Sequence, residues 1–599
     1  MSGVNDFAFK MATVNGTGSA SANNLLMHAI FRMGIPVTGK NIFPSNIQGA
    51  PTWYEIRVNK DGYTARPPEI DVVVALNPST YARDVADVRP GGYLVYDSSW
   101  PIDPELVREG ITILGIPFGK MCVDAFENDR DRTLLRNIVY AGALAALLDL
   151  DMDVVNTMAK EKFSRKKSLL DANQRAIRLG YDYAKANFTC PLPFHLAKMD
   201  KTADSIIIDG NTAAALGAVF AGATVGAWYP ITPSTSLMEA FTTFCEHFRK
   251  DEATGLNKFC ILQAEDELSA AGIAIGAGWA GARSFTNTSG PGISLMQEFL
   301  GLAYYTEIPA VFFDVQRTGP STGMPTRTQQ ADLMSMAYAS HGDTKHIIVF
   351  PANPEECFYL TVLAFDLAER FQTPVFVASD LDIGMNDWMC KRLEWDDSYV
   401  HDRGKVLSEA DLAQIKTFSR YLDVDGDGIA ARTLPGSSTK GAYFVRGSGH
   451  TKHAAYTEDS DAYQEVVDRL LRKFETAKKA VPAPEIHRHE RATVGIVTLG
   501  GCRSAVLEAI DRLREQGIVA DYMRIKAFPF DAPVRDFLDS HNVNFVVEQN
   551  RDAQLRSLLT IETGFPRDAM IPVLDYAGMP LTSKVVVDAV TKHLEGVPA

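Results

Sequence analysis

Residues 284–316 read SFTNTSGPGISLMQEFLGLAYYTEIPAVFFDVQ. A strand-length stretch, Ser284–Thr288, leads into the turn Ser289-Gly290-Pro291-Gly292 and a helix through Tyr304. An apolar run, Ala310–Val315, follows and ends at Gln316-Arg317. Strand, glycine turn, helix and strand in this order predict a parallel βαβ unit. The pattern extends both ways. Upstream, Phe259–Gln263 reads as a strand before a Gly/Ala-rich helix; downstream, Ile347–Phe350 and Pro374–Ala378 read as two more strands. Asn211–Met238 carries no charged residue and is long enough to span a membrane. Its Ala, Gly and Thr content predicts instead a close-packed buried helix, a strand and the polar loop Tyr229-Pro230-Ile231-Thr232-Pro233-Ser234.

Before this region, Asp6–Val14 reads as a strand, followed by Gly16-Thr17-Gly18-Ser19 and a helix over about 23–33. Such a turn can put backbone N–H groups under a phosphate. It lacks the third glycine of the dinucleotide fingerprint, so an ordinary tight turn is the competing reading. Asp71–Leu76, Gly92–Tyr96 and Thr112–Leu114 read as buried strands. After the central region the pattern is irregular from about 394 to 480, and 469–490 reads as a linker. A last α/β unit starts near Thr493, with strands Val494–Leu499, Ala520–Ile525 and Phe545–Glu548 and a helix over Arg503–Gln516. The expected division is 1–190, 202–400, an irregular segment 401–490, and 491–599.

The 599 residues carry 59 basic and 74 acidic side chains, a net charge of −15. That charge disfavours a nucleic-acid partner. Seven cysteines form no CxxC, which argues against a disulfide framework and against an iron–sulfur cluster held by this chain alone. With no signal-like N-terminus, the expected compartment is the cytoplasm, away from membranes.

Three landmarks stand in order: Tyr229–Ser234, Thr288–Gly292, and Gln316-Arg317-Thr318-Gly319-Pro320-Ser321-Thr322-Gly323. Together they resemble the α subunit of the 2-oxoacid:ferredoxin oxidoreductases, most like the 2-oxoglutarate branch with a γ domain fused in front. The first unit resembles that γ domain through Gly16-Thr17-Gly18 and Phe43–Ala50. The last resembles a transketolase-C-like domain through Phe528-Pro529-Phe530 and Val547-Glu548-Gln549-Asn550. The resemblance implies a multidomain α/β protein: a γ-type domain associated with coenzyme A, a thiamin pyrimidine-side domain and a transketolase-C-like domain. It implies a β subunit that supplies most of the thiamin diphosphate and Mg²⁺ site and a [4Fe–4S] cluster. It also implies ferredoxin as electron partner and a dimer of αβ heterodimers. The implied reaction is 2-oxoglutarate, coenzyme A and oxidised ferredoxin giving succinyl-CoA, CO₂ and reduced ferredoxin, with pyruvate, branched-chain or aryl 2-oxoacids as alternative substrates. A non-catalytic CoA-binding scaffold is the reading from another class.

Thiamin chemistry needs a carboxyl group at the pyrimidine N1′, to favour the imino tautomer that deprotonates the thiazolium. Glu265, Asp266 and Glu267 are all near; the family register Glu-x-x-x-x-Gly, ending at Gly272, favours Glu267. A helix-capping carboxylate is the plainer reading. Thr232 lies between two prolines, where a hydroxyl can meet substrate or simply close a local turn. Arg317, at a strand's C-terminal end, suits a 2-oxoacid carboxylate or a structural ion pair. The expected catalytic residues are therefore Glu267, Thr232 and Arg317. Expected at the cofactors are Glu267, Tyr229, Pro230, Ile231, Ser289 and Gly290, with Gly16, Gly18 and Ser19 toward coenzyme A. Arg327 and His341 are secondary candidates for a second substrate carboxylate.

No metal ligand is assigned. Asp423-Val424-Asp425-Gly426-Asp427-Gly428 imitates half an EF-hand loop, but its twelfth position is Leu434. His450 and His453 after Gly447-Ser448-Gly449 read as a functional loop or as local structure.

Overall fold

The computed structural model describes residues 3–44, 49–102, 107–163 and 167–596. Ser45–Gln48, inside the Phe43–Ala50 motif, lie outside the described residues. Two compact units emerge: one runs to Ile208 and includes Asn386–Arg392, the other holds Asp209–Met385 and Leu393 onward. The first unit therefore extends past the expected boundary at 190. Its reason is strand pairing, since Ser205–Ile208 pairs antiparallel with Trp388–Lys391.

The first unit is built on a six-stranded sheet. Its strands are β1 (Asp6–Val14), β2 (Val37–Ile42), β3 (Pro51–Asn59), β4 (Ile70–Ala75), β5 (Val88–Asp97) and β6 (Thr112–Ile116), in the order β2-β3-β1-β4-β5-β6. β1, β4, β5 and β6 are parallel, while β2 and β3 add antiparallel pairs. Apolar runs do not reveal β2 and β3, because these strands bury polar residues. Lys40, Glu55 and Arg57 are buried there, and Glu55 is ion-paired with Lys10 and Arg66. The helices Ser19–Arg32 and Asp129–Leu147 cover the sheet through a core of Leu, Ile, Val and Met side chains.

The second unit's main sheet holds β7 (Val225–Trp228), β8 (Cys260–Gln263), β9 (Ser284–Thr288), β10 (Ala310–Gln316), β11 (Ile347–Val349) and β12 (Pro374–Asp380). Their order is β8-β7-β9-β10-β12-β11, all parallel, with Ala527–Phe528 added antiparallel beside β11. The chain leaves β7 for β8 on one side and then crosses to β9 on the other. That reversal is a topological switch point, where a crevice opens at the strands' C-terminal ends. The charge-free stretch folds as the helix Gly210–Phe220, then β7, then the helix Thr235–Phe248. Among the described residues no helix is long and apolar enough to cross a membrane.

A further sheet runs Glu485–His487, β14 (Ala520–Ile525), β13 (Val494–Leu499), β15 (Asn544–Glu548) and β16 (Met570–Leu574). It shares its core with the main sheet: Phe312 and Phe376 belong to the same apolar cluster as Val497, Met523 and Val546. The expected irregular segment and linker need correction. Ser460–Ala477 is a helix whose Val466, Leu470 and Phe474 are buried at i, i+4 and i+8. Its stripe is narrow, and Arg469 and Lys473 interrupt it in sequence. Both cations are nonetheless buried, paired with Glu307, which hides the amphipathic pattern from a hydropathy reading.

Candidate functional site

The C-terminal ends of four adjacent strands bring the predicted residues of the second unit together. β7 leads to Thr232, β8 to Glu267, β9 to Ser289 and Gly290, and β10 to Arg317. Glu267 opens the helix Glu267–Trp279 and is buried, 7% exposed. Its two acidic neighbours are placed differently. Glu265 is exposed, and Asp266 is spent as the cap, accepting from the Ser269 N–H at 2.6 Å. A buried carboxylate at a helix's first turn is favoured by the exposed N–H groups there.

The loop from Tyr229 to Ser234 is pinned through its carbonyls. Arg317 Nη1 donates to the Thr232 carbonyl at 2.7 Å. Asn211 Nδ2 donates to that of Pro233 and Asn287 Nδ2 to that of Ser234, each at 2.8 Å. Thr232 and Ile231 are half-buried, while Tyr229 and Pro230 are exposed. Arg317 is 9% exposed, and its Nε has no hydrogen-bond partner among the described residues. Burial pushes its pKa down, opposed by Asp332 and Glu267. One prong of the fork is thus committed to the loop.

The space beside Glu267 depends on glycine. A Cβ on Gly292 would lie 1.8 Å from Thr288 Oγ1 and 3.0 Å from Glu267 Cγ. A Cβ on Gly290 would lie 2.6 Å from Asp332 Oδ2. Buried Ser289 Oγ and Asn287 Oδ1 have no hydrogen-bond partner among the described residues. This packing requires glycine at 290 and 292, and the buried Glu267 carboxylate beside unpaired polar atoms suits a polar heteroaromatic ring. The residues that sequence reasoning missed are Asn211, Asn287, Asp314 and Asp332. Asn211 and Asp314 carry a signal, a polar residue inside an otherwise apolar helix or strand, whereas Asn287 and Asp332 carry none.

Several side chains of the elements that build this site are apolar and exposed. The helix Glu267–Trp279 carries no charge after its first residue, yet its Gly276 and Trp279 are exposed. Tyr229, Leu262 and Leu295 are exposed as well. A grouping of this kind marks an interaction face.

In the first unit, Gly16 and Gly18 have φ of 87° and 84°, conformations that favour glycine. Gly18 caps the helix that starts at buried Ser19, with no side-chain cap. Asn137 Nδ2 donates to the Thr17 carbonyl at 2.7 Å and fixes the turn. Two strands along the sheet, beyond β4 and β5, lies a cleft of about 250 Å³ that includes Tyr81, Tyr96 and Trp100.

Comparison with known proteins decides the family. A family model described as pyruvate flavodoxin/ferredoxin oxidoreductase, thiamine-diphosphate-binding, matches residues 216–410, and one described as pyruvate ferredoxin/flavodoxin oxidoreductase matches 8–183. The α subunit of 2-oxoacid:ferredoxin oxidoreductase 2 from Aeropyrum pernix is 30% identical over 98% of this chain and 98% of its own length. This chain belongs to the 2-oxoacid:ferredoxin oxidoreductase family. The 2-oxoglutarate synthase subunit KorA of Methanothermobacter marburgensis is 31% identical, over 62% of this chain and 94% of its own length. A solved 2-oxoglutarate:ferredoxin oxidoreductase from Magnetococcus marinus, with 2-oxoglutarate, coenzyme A and succinyl-CoA bound, matches with a TM-score of 0.89 and 28% identity. That match covers 98% of this chain and 100% of the other. The chain is thus an oxidoreductase α subunit with a thiamin-binding domain.

Other candidates in this family member lie elsewhere. Arg327 is half-buried and bonds back to Thr326. His341 is exposed on a separate cavity lined by Glu298, Tyr305 and Tyr463. His450 is buried against the Tyr305 and Tyr421 rings, and burial lowers its pKa. His453 Nδ1 meets Ser419 Oγ at 2.8 Å. In the Asp423–Gly428 loop, Lys405 Nζ lies 2.6 Å from Asp425, 2.8 Å from Asp427 and 2.9 Å from the Ile429 carbonyl, where an EF-hand holds its cation.

Proposed function

We propose that this chain is the α subunit of a 2-oxoglutarate:ferredoxin oxidoreductase, forming succinyl-CoA and CO₂ from 2-oxoglutarate and coenzyme A with electrons passing to ferredoxin. The carrying observation is the convergence of Glu267, Thr232, Arg317 and the Ser289–Gly292 turn at one switch point. The chemistry that bound thiamin diphosphate supplies is a carbon nucleophile for the 2-oxo group and a sink for the electrons freed by decarboxylation. Glu267, buried at its helix start, holds a proton at the pyrimidine N1′. Gly290 and Gly292 let the ring approach the backbone, and Tyr229, Pro230, Ile231 and Ser289 border it. Arg317 keeps its second amino group for the substrate's C1 carboxylate, and the Thr232 hydroxyl stands beside the 2-oxo group.

The apolar face of Tyr229, Leu262 and Leu295 supports a β subunit closing over this site in a dimer of αβ heterodimers. We assign Mg²⁺ and the [4Fe–4S] cluster to that subunit. Among the described residues, metal-ligating side chains converge only at Asp423, Asp425 and Asp427, not at cysteines. Coenzyme A is assigned to the first unit, at Gly16, Gly18 and Ser19.

Glu267→Gln tests the reading, since it keeps the shape and removes the acid. Turnover of the assembled complex should fall by roughly 10²-fold or more. Exchange of the thiamin C2 proton should slow with it, and exchange at the wild-type rate would remove Glu267 from the role. Turnover of pyruvate or a branched-chain 2-oxoacid in preference to 2-oxoglutarate would replace the substrate assignment.

A further inference from the structure

Two carboxylates at this turn, Asp332 against Gly290 and Asp314 in register with Thr288, have no use in the reaction as described. Asp314, on β10, is fully buried, and neither of its side-chain oxygens has a hydrogen-bond partner among the described residues. Asp332 is half-buried; its Oδ2 is closed from solvent and also without a partner. Its position is fixed by its backbone N–H, which donates to Gln316 Oε1 at 3.1 Å. Only glycine fits above it, because a Cβ at 290 would come 2.6 Å and 2.7 Å from its two oxygens. The charged groups facing the pair are Arg317, whose buried Nε is unpartnered, and Glu267 acting on that same guanidinium.

Two buried carboxylates with one guanidinium to share cannot both stay ionised, because an unpaired buried charge is costly and the two repel. Burial and Asp332 push Asp314 well up. Burial pushes Asp332 up to about 6, and Arg317 opposes that rise. The proton therefore rests on Asp314, and the negative charge sits on Asp332, facing Arg317. An incoming carboxylate on Arg317 competes for the same positive charge. It weakens the hold on Asp332 and adds repulsion, so the proton affinity of the pair rises.

We propose that Asp314 and Asp332 form a one-proton carboxyl pair that positions the Arg317 guanidinium and takes up a second proton from solvent when a 2-oxoacid carboxylate docks there. No bond other than O–H is made and no electrons move. Asp332 and Asp314 are positioning residues, acting through Arg317. The proposal rests on Arg317 being the carboxylate contact.

The test uses the assembled αβ complex with thiamin diphosphate and the unreactive dicarboxylate glutarate. Calorimetry at pH 7 in two buffers of different protonation enthalpy should show uptake of roughly half a proton or more per site. The KM for 2-oxoglutarate should rise with pH between 6 and 8, by up to about tenfold per pH unit. Asp332→Asn should abolish the uptake and flatten the KM profile. Asp314→Asn replaces a protonated carboxyl with a neutral amide, so it should leave both effects in place at the wild-type pH. Unchanged uptake in Asp332→Asn overturns the proposal. Should that variant fail to assemble, loss of the uptake in Asp314→Asn, or a midpoint displaced by about a pH unit or more, overturns it equally, because the charge then sits on Asp314. Arg317→Gln separates the two layers. Undiminished glutarate binding there refutes the carboxylate role of Arg317; lost binding there, with unaltered uptake in Asp332→Asn, refutes only the carboxyl pair.

Discussion

Glu307→Gln should loosen the helix Ser460–Ala477 from the thiamin-side sheet. Glu307 follows the helix Gln297–Thr306 in a left-handed conformation, with φ of 56°, and its carboxylate is fully buried. Arg469 pairs with both of its oxygens, Lys473 Nζ lies 2.9 Å from one, and Arg420 donates to its backbone carbonyl at 2.9 Å. At about 3 Å and an effective dielectric near 20, each charge contact amounts to roughly 5 kcal/mol. Desolvation of the three groups offsets most of that. Removing the one anion, however, leaves two buried cations facing each other, a change that typically costs about 3–5 kcal/mol. Lys473 limits the damage. Burial already lowers its pKa to about 8 with Glu307 present, so without Glu307 it is neutral near pH 7. The pH dependence follows from these directions. In the wild type, Lys473 binds fewer protons folded than unfolded between about 8 and its ordinary value of 10.5, so stability rises with pH there. In Glu307→Gln that window opens at lower pH, and the variant recovers part of its loss between pH 7 and 9. Glu307 is held far below its ordinary value of 4.5, so its contribution is present above that pH and lost in strong acid. Amide hydrogen exchange read by mass spectrometry measures the opening of residues 460–477. The expected increase at pH 7 is roughly 10²- to 10³-fold, and an increase below tenfold would refute the argument.

Arg317→Lys keeps the charge but not the fork, so KM for the 2-oxoacid should rise and kcat/KM fall while thiamin affinity holds; steady-state kinetics and thiamin titration check this. Gly18→Val forces a branched side chain onto a φ of 84° and toward Leu134 Cδ2, 2.8 Å from the Cβ position. It should raise KM for coenzyme A without changing that for 2-oxoglutarate, and equal KM values for coenzyme A in variant and wild type would remove the turn from the CoA site. Lys405→Met takes the ammonium out of the aspartate loop. The variant should bind terbium, seen by its luminescence, where the wild type does not.

The sequence by itself determined the parallel α/β class, the β7 to β12 succession and the residues at strand ends. Those are local matters: apolar runs of strand length, glycine turns, and a carboxylate or guanidinium at a fixed distance after a strand. It also offered three adjacent carboxylates for the proposed role, among which the family register favoured Glu267. Burial then separated them, because Glu265 is exposed and Asp266 is used as a cap, whereas Glu267 turns inward. Strand order was not legible, since it is a long-range choice, and only the order β8-β7-β9-β10 puts Thr232, Glu267, Ser289 and Arg317 around one crevice. Residues whose polarity is satisfied or left open only in three dimensions were hidden for the same reason. Lys473 and Arg469 read as charges of a linker until Glu307, more than 160 positions away, is placed between them. Asp314 reads as a break in an apolar strand until Asp332 and Arg317 stand next to it. Tertiary structure decides such cases because the ionisation of a buried group depends on what it is buried against, and chain neighbours do not specify that.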